Sequence, residues 1–365
     1  MRPSLEVFVL HWNAAARASA TVRSLLRSGD VRVHVTVIDN ASRSEERHRL
    51  ESCLPRGANV LRMDRNLGFA GGANVALSRV LAANGKTPEW FVLAAHDVEV
   101  RPDSLRRLLD AAVSSPHHGV LGPVFWDAAW ERRESTGGRW DVASGAWRLT
   151  GLPEDGWQVV DRDWLVGALL LIRTDCARLV GGFDERLFAY CEDIDFCLRA
   201  RDAGWQVGVV PAASARESGA TVDQLGQSYL ITRNSLLLSR WRGGARPFMF
   251  RAVESYLHAV RSGVGSALPW RPSERRAISR QFAVGQFRGV TDALFGRTGF
   301  GPNGLGHGGD DPLHTVGSSR AGGGEPVLLP NPLGVEASRR SAPTQRGPER
   351  ERRGGGRGAA RSQAR

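Results

Sequence analysis

The strand, helix, strand order at the start of the chain limits the fold more than any later feature. Residues 5–12 form a continuous apolar run suited to a buried strand, and residues 17–27 place Ala18, Val22, Leu25 and Leu26 at helical spacing. Residues 31–38 form a second strand that ends in Asp39-Asn40-Ala41-Ser42. Strands joined in this way lie parallel in one sheet, and ligands of such sheets sit beyond the carboxyl ends of the strands, the edge where Asp39 stands. A dinucleotide-binding domain opens similarly, but the first turn here, HWNAAARAS, has no glycine to let a pyrophosphate approach the backbone.

The alternation continues. Residues 58–62 read as a third strand leading into Asn66-Leu67-Gly68-Phe69-Ala70-Gly71-Gly72-Ala73-Asn74 and then the helical VALSRVLAAN. Glycines before a helix let backbone N–H groups approach an anion, and a tight turn explains them equally well. Residues 90–94 are a fourth strand, followed by Ala95-His96-Asp97-Val98-Glu99-Val100, with Asp103 and Ser104 expected to cap the next helix. Strands at 120–125 and 164–172 flank a Trp- and Gly-rich segment, 126–160, whose alternation predicts hairpins. A last strand, 206–211, precedes Ala215-Arg216-Glu217-Ser218-Gly219-Ala220-Thr221.

Within GGFDERLFAYCEDIDFCLRARDAGW, residues 181–205, three carboxylates crowd together: Glu192, Asp193 and Asp195. Such a group repels itself unless a cation, a helix N-terminus or a proton relieves it. Acids opening a helix also complement its dipole, and Asp195 with Arg199 has the i,i+4 spacing of a surface ion pair. The surrounding frame, GGFDE before the acids and Arg and Gly after them, resembles the signature of inverting family 2 glycosyltransferases of the GT-A fold, the rhamnosyltransferase-like branch in particular. In that family the Asp of the Glu-Asp pair deprotonates the acceptor hydroxyl. The resemblance carries this role to Asp193, with Glu192 and Asp195 in the same catalytic group.

Other segments extend the resemblance in the family's order. VIDNAS is similar to the segment whose Asp contacts the nucleotide base or ribose, which implies a donor-binding Asp39 with Asn40 beside it; an Asx turn capping the next helix fits the same letters. NLGFAGGAN is similar to the wall of the nucleotide-diphosphate pocket and implies Asn66, Gly68, Phe69, Gly72 and Asn74. The place after the fourth strand carries the family's DxD-type motif, which makes Asp97 the expected ligand of a Mg²⁺ or Mn²⁺ cofactor; here Ala95 and His96 depart from the usual letters. Where relatives complete the metal site with His, this chain has Arg216 and Glu217. Either Glu217 binds the cation or Arg216 neutralises the diphosphate itself, and Glu217 is expected. WLVGALLLI and YLITRNSLLLSR resemble a family strand and helix that imply Gly167 beside the donor sugar and Arg233 and Asn234 at the diphosphate or the acceptor loop.

The implied fold is a Rossmann-like mixed α/β sheet flanked by helices. A catalytic domain is expected over 1–242, a helical extension over 243–298 and a disordered tail over 299–365. The formal charge of +11 invites a nucleic-acid reading, but much of the excess follows Ala337, where almost nothing apolar can be buried, so no specific nucleic-acid partner is expected. Two amphipathic helices within 247–295 interleave Arg251, Arg261, Arg275, Arg276, Arg280 and Arg288 with apolar residues; contact with an anionic membrane and packing on the catalytic domain explain them equally. No run is long enough to cross a bilayer, no signal peptide is read, and Cys53, Cys176, Cys191 and Cys197 form no CxxC pair, which points to a reducing cytoplasm, at the inner face of the plasma membrane. The expected function is inverting transfer of a sugar from dTDP-rhamnose or a UDP-sugar to a hydroxyl of a cell-envelope glycan or glycolipid. The rivals are a catalytically weak sugar-nucleotide-binding protein and, behind it, a nucleic-acid-binding protein acting through the tail.

Overall fold

Alternation along the first strand decides how the sheet is covered. In β1 (Ser4–His11) Leu5, Val7 and Val9 point to one face and Phe8 and Leu10 to the other, all buried. A strand buried on both faces needs a helix layer on each. The computed structural model describes residues 2–82, 87–151, 156–218, 224–268, 270 and 272–299. The first half continues through α1 (Ala15–Leu26), β2 (Arg32–Asp39), α2 (Ser44–Cys53), β3 (Asn59–Arg62), α3 (Gly68–Leu81), β4 (Trp90–Ala95), β5 (Val98–Val100), α4 (Ser104–Ser114) and β6 (His118–Trp126). Then come β7 (Arg133–Ser135), β8 (Gly138–Asp141), β9 (Ala146–Leu149), β10 (Val160–Arg162), β11 (Leu169–Arg173), α5 (Thr174–Val180), a 3-10 turn at Glu185–Leu187, α6 (Glu192–Asp202) and β12 (Gln206–Glu217). Helices α7 (Gln224–Gly243), α8 (Ala245–Ala267) and α9 (Ser273–Leu294) follow.

The main sheet runs β10-β12-β6-β11-β4-β1-β2-β3. Strands β1 to β4 are parallel, β11 is antiparallel to both β4 and β6, and β12 runs parallel to β6. One face packs Leu5, Val7 and Val9 against Val22 and Leu25 of α1 and Leu105 and Leu108 of α4. The other packs Phe8 and Leu10 against Ala73, Ala76 and Val80 of α3 and Ile194 and Leu198 of α6. This topology brings the ends of β1, β2, β4 and β12 and the start of β11 to one rim.

Four local expectations are corrected. The glycines of 66–74 are not a loop before a helix, because α3 already begins at Gly68. They serve close packing: a Cβ on Gly72 would stand 3.2 Å from Leu10 Cδ2, and Gly68, at φ +71°, lies against the Phe188 carbonyl. Asp103 and Ser104 cap nothing. Asp103 pairs with Arg107 at 2.6 Å, and the Ser104 hydroxyl donates to the Ser214 carbonyl at 2.7 Å. The strand expected over 164–172 is only β11, because Trp164 bridges to Gly138 of the hairpin segment instead. Finally, β12 passes Pro211 through a register shift and runs on to Glu217, so Arg216 and Glu217 fall on opposite faces of a strand. The hairpins expected within 126–160 are present as β8–β9 and as β7 paired with β6. The tail beyond residue 300, including the separate unit 326–365, and Gly219, Ala220 and Thr221 lie outside the described residues.

Candidate active site

Helix α6 presents its three acids in different directions. Residues two apart are turned by about 200° on a helix, so Asp193 and Asp195 face opposite ways. Asp195 is buried and pairs with Arg199, Nε to Oδ2 at 2.6 Å, while the Arg199 Nη1 donates to the Val180 carbonyl at 2.9 Å. That pair fastens α6 to the end of α5, so Asp195, expected among the catalytic acids, is turned away from the group. Glu192 is only 5% exposed, and its Oε2 has no hydrogen-bond partner. Burial and then the charge of Asp193 push its pKa well above the ordinary carboxylate range, which disfavours its ionised form. Asp193 alone of the three is partly open to solvent. Its Oδ2 accepts from the Gly167 N–H at 2.7 Å and its Oδ1 from the Ile194 N–H at 2.8 Å. Burial raises its pKa and these two N–H groups pull it back. The approach requires glycine at 167, where a Cβ would stand 2.8 Å from the Asp193 Cβ.

Gly167 and Ala168 lead into β11 at the rim where β4 ends, and the Ala95 N–H donates to the Ala168 carbonyl at 2.8 Å. Asp97 therefore follows on the same rim, two residues beyond that bond. From the other side the Ser218 N–H donates to the Asp97 carbonyl at 2.8 Å, and Glu217 pairs in register with Val98. Arg216 leaves the cleft: it bonds Glu99 at 3.1 Å and the Ala128 carbonyl and lies over the Trp130 ring. Glu217 is reached by solvent yet surrounded by enough protein that its carboxyl is pushed up to about 7, by desolvation first and then by Asp97, Glu134 and Asp193. Burial first, then Glu192 and, after it, Asp97 and Glu217 raise the Tyr190 phenol. Each of these groups therefore lies within electrostatic reach of another at this rim. Neither the Asp97 nor the Glu217 carboxylate has a hydrogen-bond or ion-pair partner among the described residues.

At the β1–β2 end of the rim most of the expected polar residues hold the protein together. Asn40 donates to the Gly68 carbonyl and accepts from the Leu67 N–H at 2.8 Å, and Asn66 accepts from the Gly68 N–H at 2.9 Å. Asn74 clamps both backbone groups of Phe183 and reaches Glu185. The Ala70 N–H is taken by the Phe188 carbonyl, so the first turn of α3 does not present a free cradle of N–H groups. Asp39 is fully buried, with Oδ1 bonded by the Ser42 N–H and Oδ2 without a partner. Beside it His11 is buried with both ring nitrogens unpartnered, its pKa lowered to about 4 by desolvation and then by His96. His96 turns inward, 5.8 Å from the His11 ring between centroids, with its Nδ1 at 3.3 Å from the Leu10 carbonyl rather than facing a phosphate. His11 was not singled out from the sequence; its signal is a polar residue closing an otherwise apolar strand at the rim.

A model of the glycosyltransferase-like family 2 matches residues 3–229, from β1 into the first turns of α7. The chain belongs to this family. The N-acetylglucosaminyl-diphospho-decaprenol L-rhamnosyltransferase of Mycobacterium tuberculosis is 29% identical to it over 243 residues, covering 58% of this chain and 75% of that protein. Among solved structures, the mannosyltransferase PcManGT from Pyrobaculum calidifontis in complex with GDP-Man and Mn²⁺ shares the fold at a TM-score of 0.50 and 14% identity, over 81% of this chain and 88% of that one. The structure of GalNAc-T7 with UDP, GalNAc and Mn²⁺ aligns at a TM-score of 0.49 and 14% identity, over 81% of this chain and 58% of that one.

In this family 2 glycosyltransferase Arg233 and Asn234, expected at the ligand, lie fully buried behind the segment that delivers Asp193. Phe188, Tyr190 and Cys191 all have positive φ, at 65°, 67° and 68°. Each such conformation costs on the order of 1–3 kcal/mol in a residue with a side chain and persists only where its surroundings impose it. Asn234 Nδ2 imposes it by donating to the carbonyls of Leu187, Ala189 and Tyr190, each at 2.8 Å. Arg233 adds bonds to Leu187 at 3.2 Å, to Asn234 at 2.9 Å and to the Gly299 carbonyl. Asn234→Ala should therefore lower unfolding free energy by about 3 kcal/mol, because it strands buried carbonyls as well as releasing the loop. Urea denaturation measures this, and a loss below about 1 kcal/mol would show that the loop holds its shape unaided.

Proposed function

We propose that the chain transfers a sugar from a nucleotide-diphosphate donor to a hydroxyl of a lipid-linked cell-envelope glycan, with inversion at the anomeric carbon. The observation that carries this reading is that Glu217, at the sheet rim, lies within electrostatic reach of both Asp97 and Asp193. Asp193 takes the acceptor hydroxyl proton as that oxygen bonds the anomeric carbon, and the bond from that carbon to the diphosphate oxygen breaks in the same displacement. Burial disfavours charge on Glu192 beneath it, and the Gly167 N–H fixes which lone pair of Asp193 meets the acceptor.

Among the described residues no three metal-ligating side chains form a ready cage. Two unpartnered carboxylates nevertheless suit a hard cation that takes its other ligands from substrate phosphates and water. Asp97 and Glu217 would hold Mg²⁺ or Mn²⁺, which supplies positive charge to the departing diphosphate. Asp39 Oδ2 and His11, buried at this rim without hydrogen-bond partners among the described residues, would meet the nucleotide, with the half-buried Phe69 nearby. The catalytic unit is taken as residues 1–242, with 243–298 a helical extension.

The relative named for L-rhamnose transfer to N-acetylglucosaminyl-diphospho-decaprenol supports dTDP-rhamnose as donor ahead of UDP-sugars, and a polyprenyl-linked acceptor. Thermal unfolding with Mn²⁺ and a panel of nucleotide sugars tests the donor. The matching donor, at about 100 times its Kd, should add roughly 2.7 kcal/mol and shift the midpoint by about 5 °C or more. A panel without any shift would overturn the proposal.

A further inference from the structure

Away from the cleft, helix α8 carries an apolar face in addition to the one it buries. Its inner side packs Phe248 and Ala252 on α7 and α9. Its outer side exposes Met249, Phe250, Val253, Leu257, Val260 and Val264, from 37% to 66% each. At 100° per residue these six fall in one arc of about 100° that runs most of the helix length. A patch of this kind on a protein surface marks a contact with something apolar.

The charge around the stripe identifies its partner. Arg246 and Arg261 lie within or beside the arc, and α9 runs alongside, with Tyr256 against Phe287 at 5.4 Å between ring centroids. Arg280 stands two turns before Phe287 on the same face of α9, and Arg275 and Arg288 are also exposed. Among the described residues none of these five arginines has an ion-pair or hydrogen-bond partner. Residues 245–299 hold nine arginines against three acidic residues, and of those Glu254 pairs with Arg251 and Asp292 with Arg297. A second copy docked on the stripe would bring two arginine rims together. The chain's own residues 301–365 carry ten arginines against six acidic residues and would be repelled in the same sense.

We propose that the exposed stripe of α8, with the arginines of α8 and α9 around it, is a docking surface for an anionic lipid bilayer. The apolar side chains enter the headgroup boundary while the guanidinium groups meet lipid phosphates. The inner side of the same helix sends Arg251 within electrostatic reach of Cys191, so the helix that carries the stripe also backs the segment that leads into Asp193. The inference fits a lipid-linked acceptor but does not rest on the proposed reaction, because docking is read without turnover.

The test is flotation of the full chain with phosphatidylcholine vesicles, with and without phosphatidylglycerol. Binding is expected only with phosphatidylglycerol and should weaken as salt is raised. The double variant Arg261→Glu with Arg280→Glu should lose about fivefold or more per arginine. Phe250→Ser with Leu257→Ser should lose at least about tenfold while keeping the wild-type melting temperature, since both positions are exposed. A chain ending at residue 300 should bind as the full chain does. Failure of the full chain to float with phosphatidylglycerol, loss of binding on truncation, or a dimer in sedimentation that Phe250→Ser dissociates would each overturn the proposal, whichever sugar the enzyme transfers.

Discussion

Asp193→Asn should reduce sugar transfer by about 10³-fold or more, within the range a positioned general base contributes, while donor affinity changes by less than about threefold. The substitution keeps size and leaves an amide oxygen able to accept the Gly167 N–H, so the loop and α6 should keep their places. What disappears is the carboxylate of the one residue of the trio that is half-buried rather than buried. Glu192 supplies the internal comparison. Burial and the charge of Asp193 disfavour its ionised form, so Glu192→Gln, which puts a neutral group of the same size there, should cost less than about tenfold. Transfer rates at saturating donor, with donor Kd by calorimetry, separate the two. Equal losses in both variants would mean that the pair acts as a unit and that Asp193 is not the base. The pH dependence has a defined sign: Asp193 must be ionised, its pKa is raised by burial, and activity should fall as acid is added through that raised value.

Most of the sheet was legible because its strands are apolar runs and its first helices carry apolar residues at helical spacing. The family signature implied Asp193, Asp97 and Glu217 as site residues, and the parallel course of β4 and β12 brings the strand ends near Asp97 and Glu217 to one rim. Reading failed where a residue's type is compatible with two environments. Glycines at 68, 71 and 72 suit a phosphate loop and a closely packed helix alike, and only the positions of Leu10 and Phe188 decide for the helix. Arg233 and Asn234 look like ligand groups because buried polar residues need partners, but those partners are carbonyls some 45 residues earlier in the chain, which spacing does not reveal. The opposite directions of Asp193 and Asp195, by contrast, follow from helical geometry alone once the helix start is known. His11 remained hidden inside an apolar strand whose far end is polar only because it meets the rim.

The second large effect concerns the cation. Chelation, Asp97→Asn or Glu217→Gln should each lower transfer on the order of 10²-fold or more, the several kcal/mol that a Lewis acid gives a departing diphosphate. Without the cation the two carboxylates repel each other, which is part of why the Glu217 carboxyl is pushed up to about 7 from its ordinary 4.5. A folded state that keeps this proton binds more protons than the unfolded chain between those two values. The stability of the metal-free protein should therefore fall as pH rises through that window, and level off above it. Mn²⁺ competes for the same carboxylate, so its affinity should climb as pH rises to about 7 and flatten beyond. In Glu217→Gln both slopes should shrink, because the titrating group is gone and its repulsion of Asp97 with it. Mn²⁺ titration by calorimetry across this range, in both proteins, decides the matter: an affinity that ignores pH, or survives the substitution unchanged, would remove Glu217 from the ligand set and leave Asp97 to act with the donor phosphates alone.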